Sequence, residues 1–507
     1  MKKSRTQKAF LNVASSLAAE FVSLVCGLIL PKLILSSYGS AYNGITQSIS
    51  QFISYISLMK AGIGGATAVA LYKPLAEKDN QKISEVLAAT EEFMRKIAMV
   101  FVAFILVFAC LYPLLVAKEF GWLFTASLVI IISISTFGQY YFGFTYQMLL
   151  SADQKDYITT CLNILTTIVN TLLSVILIGQ NRSIHVIKLG SSIANLITPL
   201  SLYFYVRKKY KIIKGVKPNK DVIPQRWDAT AHEVASFINN NTDVVLLTLF
   251  TNMSEISVYT VYHYVISNLK KIVTQVTVGF GAAFGDMYAR NEIDLMHQNL
   301  GIFELIIYSF TSVLYSVALV MILPFVIIYT DGITDVEYVR PLFALITIVA
   351  SIFNCFRIPY RVIVINVGHY KQTKNGAILE AVLNITVSII GCIKFGLIGV
   401  AMGTLCAMVF RTLQYAVYLS KNIMYRDIRF FIKHVMLTFI IIVAVYLISR
   451  LYIPTLIAGW LHWVMYASLT TVIAILLTLG TDFLFYKEDL FNLLNKLKRN
   501  FFIRKKI

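Results

Sequence analysis

The chain has 507 residues, 57% of them hydrophobic and 14% charged, with a mean hydropathy of +0.71, far above that of a water-soluble globule. A soluble multidomain enzyme is excluded. The 45 Lys and Arg against 26 Asp and Glu would suggest nucleic acid in a soluble protein, but here the charges must first be sorted by membrane side.

Apolar stretches set off by polar punctuation predict an all-α polytopic membrane protein with about 14 transmembrane helices. They fall near 9–37, 42–73, 96–117, 121–150, 157–179, 186–206, 229–252, 255–286, 300–329, 341–367, 375–396, 398–420, 433–450 and 460–485. Each is long enough to cross ~30 Å of hydrocarbon as a helix. The basic start MKKSRTQKAF runs into the first of them without a small-residue cleavage site, so it reads as a retained helix. Alternate connections carry 32 Lys and Arg on one side, while the other side has Lys118, Arg182, Lys188, Arg340, Lys394 and Arg450. That bias places both termini in the cytoplasm and removes the nucleic-acid reading.

The predicted organisation is a first six-helix lobe (1–206), a basic cytoplasmic linker (207–228) holding Pro218 and Pro224, and a second six-helix lobe (229–420). Helices thirteen and fourteen (421–485) follow, then a basic amphipathic tail (486–507) expected on the inner membrane surface. Sliding the halves by 216 positions aligns Gly65-Ala66 and Tyr72 with Gly281-Ala282 and Tyr288, and Ala152-x-x-Lys155 with Gly368-x-x-Lys371. An offset of six helices gives two copies of the same orientation, related by an axis along the membrane normal.

All six cysteines lie in apolar runs without a CxxC pair or a His at ligand spacing, so they read as small buried hydrophobes and no metal site is expected. No GxxxxGK[ST], HExxH or GxSxG is present. No catalytic residue and no cofactor are therefore assigned, and work must draw on binding, membrane potential, or a proton or sodium gradient.

Seven cations remain inside predicted helices: Lys32, Lys60, Lys270, Lys271, Arg357, Arg361 and Arg411. A charge at the bilayer centre costs at least ~2.5–3.5 kcal/mol, so it turns toward a wet cavity or a partner. Lys270 lies some 22 Å from either end of its predicted helix, estimated at ~1.5 Å per residue and beyond snorkelling reach. Lys60 is similarly deep, whereas Lys32, Arg361 and Arg411 could snorkel. Arg357 and Arg361, one turn apart around Pro359, could form a fork for an oxyanion. The intramembrane acids are Glu20, Asp243, Glu304 and Glu380. Each either neutralises a cation, as Glu20 with Lys60 or Asp243 with Lys270, or couples transport to an ion or proton. The cations outnumber them, and surplus positive charge in a polar cavity binds anions. Asn239, Asn240 and Asn241 could hydrogen-bond sugar hydroxyls or glue helices together.

The segments LILPKLILSSYGSAYNG, YISLMKAGIGGATAVALYKPLAEKD and QMLLSADQKDY carry a resemblance to the Wzx-type oligosaccharide and polysaccharide flippases. These form the polysaccharide transport family of the multidrug/oligosaccharidyl-lipid/polysaccharide exporter superfamily. The resemblance implies two six-helix lobes in a V around a cavity lined by the first, second, seventh and eighth helices, with two further C-terminal helices. It places Lys32, Lys60, Lys270, Lys271, Glu20 and Asp243 toward that cavity and leaves Arg357, Arg361 and Arg411 on less certain helices. The function it implies is alternating-access translocation of an undecaprenyl-pyrophosphate-linked oligosaccharide across the bacterial cytoplasmic membrane for cell-surface polysaccharide synthesis. The expected form is a monomer among membrane lipids, possible partners being the polysaccharide assembly proteins. One rival is a cation-coupled multidrug exporter of the same superfamily, which would need an acidic, aromatic cavity. The other is a membrane glycosyltransferase or polymerase, which would need catalytic carboxylates on a large outer loop. Asp331, Asp335 and Glu337 on a short connection are the only outer acid cluster.

Overall fold

The structure, a computed structural model, describes residues 5–60, 63–213, 215–216, 227–277, 280–454, 457 and 459–504. At 5–6, 9, 60, 227–233, 235–236, 239–240 and 497–504 it describes the backbone alone. Half of the predicted linker, with Pro218 and Pro224, lies outside the described residues. Every regular element among them is a helix, and the chain divides into two compact units.

The first unit takes Met1–Phe237 and Asn252–Ser257. It contains α1 (Arg5–Tyr38), α2 (Ser40–Ser54), a short 3-10 helix (Tyr55–Lys60), α3 (Ile63–Glu77), α4 (Asn80–Leu115) and α5 (Trp122–Gly138). A π-helical stretch (Gln139–Gly143), α6 (Phe144–Ala152), α7 (Asp156–Gly179), α8 (Ile184–Asn195) and α9 (Ile197–Lys209) complete it. The second unit takes Ile238–Thr251 and Val258–Ile507, so α10 (Trp227–Phe250) and α11 (Met253–Gln275) are each divided between the two. It continues with α12 (Phe280–Ala289), α13 (Ile293–Tyr329), α14 (Pro341–Phe356), α15 (Ile358–Asn366), α16 (Tyr370–Phe395) and α17 (Leu397–Asn422). Last come α18 (Arg429–Ser449), α19 (Gly459–Phe485) and α20 (Lys487–Arg504).

Among the described residues 11 helices are long and apolar enough to cross a membrane, or 12 if Ser40–Met59 and Ile63–Glu77, bent by 47°, form one span. The chain is a multi-pass membrane protein. Of the 14 predicted spans, the seventh and eighth are helical as α10 and α11 but fall outside this set. Of α10 only Asn241–Phe250 enters the comparison, as an apolar but short helix, whereas α11 carries Lys270 and Lys271, which dilute its hydropathy.

Two breaks mark the fourth predicted span of each half. In the first unit the π-helical Gln139–Gly143 interrupts Trp122–Ala152. In the second, Pro341–Asn366 is interrupted at Arg357, where Pro359 withholds a backbone donor. At the 216-residue offset these positions correspond. The turns that follow correspond too. Tyr210, after α9, donates to Asp153 Oδ2 at 2.6 Å, and Tyr418 on α17 lies 2.9 Å from His369 Nδ1.

Asp153 ties three segments of the first unit together. Its carboxylate takes Lys8 Nζ at 3.0 Å and Lys155 Nζ at 2.6 Å besides the Tyr210 hydroxyl, and Asn12 accepts from Tyr157 N at 2.8 Å. Burial pushes the carboxyl up, but hydrogen bonds from Lys155, Tyr210 and Lys8 outweigh it and hold Asp153 below the usual carboxylate range. A depressed carboxyl stabilises the fold above its unfolded value of about 3.9 and loses that contribution as pH falls through its folded value. Asp153→Asn is therefore expected to cost about 1–3 kcal/mol at neutral pH. The difference from the parent should vanish in thermal-melting curves recorded in strong acid.

In the second unit α16 and α17 cross at small residues. A Cβ on Gly399 would lie 1.9 Å from the Gly391 carbonyl carbon, and one on Gly403 would lie 2.6 Å from Ser388 N. Only glycine permits backbones this close, the usual device for joining helices in lipid. Gly399→Val should separate the pair and cost about 1–3 kcal/mol or more, read as a lower melting temperature of the purified protein.

The C-terminal helices are pinned to α13. Glu304, 1% exposed, receives Arg426 at 2.6 Å and the Tyr360 hydroxyl at 2.6 Å, while Ser309 donates to Asp482 on α19 at 2.6 Å. The tail helix α20 docks as well, through Lys496 Nζ to Asn299 Oδ1 at 2.8 Å and Asp489 against Gly301. Part of the polar face of this helix is thus spent on α13.

Candidate functional site

The second unit holds a small pocket with about 80 Å3 of free space, room for a few waters and far too little for a sugar. One face of α11 builds its wall, because Tyr259, His263, Ser267 and Lys270 recur at helical spacing. Asp243 of α10, Ser351 and Asn354 of α14, and Thr404 of α17 face them, with Phe343 and Met408 completing the lining.

Asp243 is 7% exposed. Tyr259 donates to its Oδ2 at 2.9 Å, and Thr404 Oγ1 lies 3.2 Å from both carboxylate oxygens. Thr404 in turn accepts from Asn384 Nδ2 at 3.2 Å, while the buried Asn384 Oδ1 has no hydrogen-bond partner. The Asp243 carboxylate, held by the Tyr259 and Thr404 hydroxyls, is a group suited to taking up a proton. Among the described residues no three His, Cys, Asp or Glu gather as metal ligands.

A second cluster lies around the break between α14 and α15. Glu380 on α16 binds Arg357 Nη1 at 2.7 Å and Arg411 Nε at 3.2 Å. Arg411 is 2% exposed and spends its other donors on Tyr415, Gln414 and the Thr373 carbonyl. Its guanidinium is committed within the protein. Arg361, one turn beyond Arg357, is exposed, and Lys270 lies within electrostatic range of both arginines. Lys270, Arg357, Arg361 and Arg411 thus form a cationic neighbourhood, with Glu380 between Arg357 and Arg411 and Asp243 lining the same pocket as Lys270. Clustered positive charge of this kind is able to take an anion.

The remaining predicted residues are placed as follows. Lys32 is half-buried beside Pro31 in α1, and Glu20 is half-buried on the same helix, both in the first unit. Lys60 ends the 3-10 stretch where the predicted 42–73 helix is broken, and its side chain lies outside the described residues. Lys271 is exposed and donates to Asn268 Oδ1 at 3.2 Å. Asn241 is half-buried, whereas the side chains of Asn239 and Asn240 lie outside the described residues. Of the predicted set, the structure brings Asp243 and Lys270 to one pocket, and Arg357, Arg411 and Glu380 to one ion cluster. Tyr259, His263, Asn384 and Thr404 were not singled out from the sequence. The spacing of Tyr259, His263, Ser267 and Lys270 was the available signal.

No family model and no curated protein matches the chain. Solved structures do. The lipid II flippase MurJ in an inward closed conformation superposes with a TM-score of 0.71 at 16% identity, covering 94% of this chain and 99% of MurJ. The MATE multidrug transporter DinF-BH gives 0.59 at 15% identity over 82% of this chain and 97% of its own. An outward-facing MATE family transporter of the MOP superfamily gives 0.56 at 12% identity over 83% and 99%. The chain therefore has the all-helical exporter fold that MurJ and the MATE transporters share.

Proposed function

We propose that the protein is a flippase for an undecaprenyl-pyrophosphate-linked oligosaccharide, carrying it from the inner to the outer leaflet of a bacterial cytoplasmic membrane. The observation that carries this reading is the cationic neighbourhood of Lys270, Arg357 and Arg361 within a bundle of apolar helices. Such a bundle retains charge only where something uses it. The likeness to MurJ over 94% of the chain supports a lipid-linked substrate. Lys32, Lys60 and Lys271 remain candidate head-group contacts, and Asn239, Asn240 and Asn241 candidate sugar contacts. Asp243 is the candidate site of a coupling proton. Glu20 and Glu380 balance charge.

Moving a dianion outward down an inside-negative potential releases about 2 × 2.3 kcal/mol per 100 mV when no cation moves with it. Voltage then biases direction, and a cation bound at Asp243 reduces that bias by its own charge. The deciding experiment is flipping of a fluorescent polyprenyl-pyrophosphate oligosaccharide in proteoliposomes under an imposed potential. Acceleration by inside-negative voltage supports the reading; absence of flipping, with efflux of an organic cation instead, replaces it by a multidrug exporter. That second reading draws on Asp243 standing beside the aromatic rings of Tyr259 and Phe343.

A further inference from the structure

Asp243 is buried, yet one turn along the pocket wall from its partner Tyr259 stands an exposed imidazole, His263. The three side chains are joined in a line. Tyr259 donates its single hydroxyl proton to Asp243 Oδ2 at 2.9 Å, and His263 Nδ1 lies 3.1 Å from the same hydroxyl oxygen. Because the phenol has only one proton to give, Nδ1 must carry a hydrogen and donate it to Tyr259, which leaves the Nε2 lone pair as the free end of the line. The rings of Tyr259 and His263 stack at 5.2 Å with 16° between their planes, which fixes the imidazole.

We infer that His263 and Tyr259 are a proton relay through which the buried Asp243 exchanges a proton with water in the pocket. A proton arrives on His263 Nε2. The Nδ1 proton passes to Tyr259 as the phenol releases its own to Asp243 Oδ2. One proton enters and one carboxylate is neutralised, while His263 ends neutral, protonated on Nε2, with Nδ1 now accepting from Tyr259. The line of hydrogen bonds reverses direction without any heavy atom having to move far. The return to the starting tautomer runs through pocket water.

Few other groups compete for that proton. On its own helix His263 is faced by Tyr259 and Lys270, and Asp243 reaches it through Tyr259. From α14 and α17 the pocket receives Thr347, Ser351, Asn354 and Thr404, none of which titrates near neutrality. Beyond them, Arg357, Cys355, Arg361 and Lys271 are within electrostatic range of Lys270. Lys270 keeps the free end of the relay under a positive potential, so an anion arriving there favours protonation of the line. Proton uptake and head-group binding then reinforce each other. This last step rests on the proposed anionic substrate, whereas the relay itself does not.

The test is time-resolved infrared and indicator-dye measurement of the purified full-length protein after an acid jump. The parent should gain one carboxylic-acid carbonyl band together with one proton, and Asp243→Asn should lack both. His263→Gln and the near-isosteric Tyr259→Phe should reach the same band amplitude but about 100-fold more slowly, within what a positioned proton-transfer group contributes. Protonation as fast as the parent in both variants overturns the relay, and so does a parent with no band for Asp243. Flipping assays on the same preparations report separately on the substrate: a relay seen by infrared in a protein that moves no pyrophosphate lipid sinks the proposed function alone.

Discussion

Glu380→Gln is expected to remove most of the folded protein from the membrane. Its carboxylate is the shared partner of two buried guanidiniums, at 2.7 Å from Arg357 and 3.2 Å from Arg411. Removing one member of a buried ion cluster leaves uncompensated charge and costs about 3–5 kcal/mol, a large part of the 5–15 kcal/mol that holds a typical protein together. Desolvation, and not the lost Coulomb attraction, decides this. Arg411, with 2% exposure, has no water to fall back on. A compensating change should therefore recover stability: Glu380→Met combined with Arg411→Met removes one charge of each sign and replaces them with apolar volume. The double variant is expected to melt above Glu380→Gln in fluorescence-detected size-exclusion after heating. If Glu380→Gln alone melts with the parent, the cluster is hydrated and its structural role is lost.

The sequence stated the architecture well because lipid imposes a simple rule: a backbone in hydrocarbon must satisfy itself, so long apolar runs become helices. It was least legible where polarity enters. The predicted 42–73 helix gives way to a 3-10 stretch at Tyr55–Lys60, and α11 is too polar to count as a span by hydropathy. These departures coincide with Lys60 and Lys270, residues that a functional reading singles out.

Charge counting found Lys270, Arg357, Arg361, Arg411 and Glu380 but left their partners open, since burial depth says nothing about which helices touch. It is the α16 to α17 crossing at Gly391 and Gly399 that sets the height of Glu380 against Arg411. His263 escaped notice for a different reason. A neutral imidazole leaves no mark in a charge count, and only its contact with Tyr259 gives it meaning.

Lys270→Glu is expected to lower flipping of a pyrophosphate lipid by about 100-fold while leaving protein levels near normal. The two halves of that statement have different origins. Lys270 is half-buried with Arg357 and Arg361 within electrostatic range, so the glutamate finds opposite charge and the fold tolerates it. Transport suffers because a hydrogen bond between charged groups contributes about 1.5–3 kcal/mol, and reversing the charge adds repulsion to its loss. At 1.36 kcal/mol per factor of ten, 2.7 kcal/mol is a hundredfold in rate. Lys270→Arg preserves the charge and should keep most activity, and Lys271→Glu, next in sequence but exposed and bonded to Asn268, should matter less. The contrast between neighbours makes the measurement specific to Lys270. Equal losses at 270 and 271 would mean that net charge at the membrane, and not a head-group contact, sets the rate. Undiminished flipping in Lys270→Glu would remove the anion site from the proposal altogether.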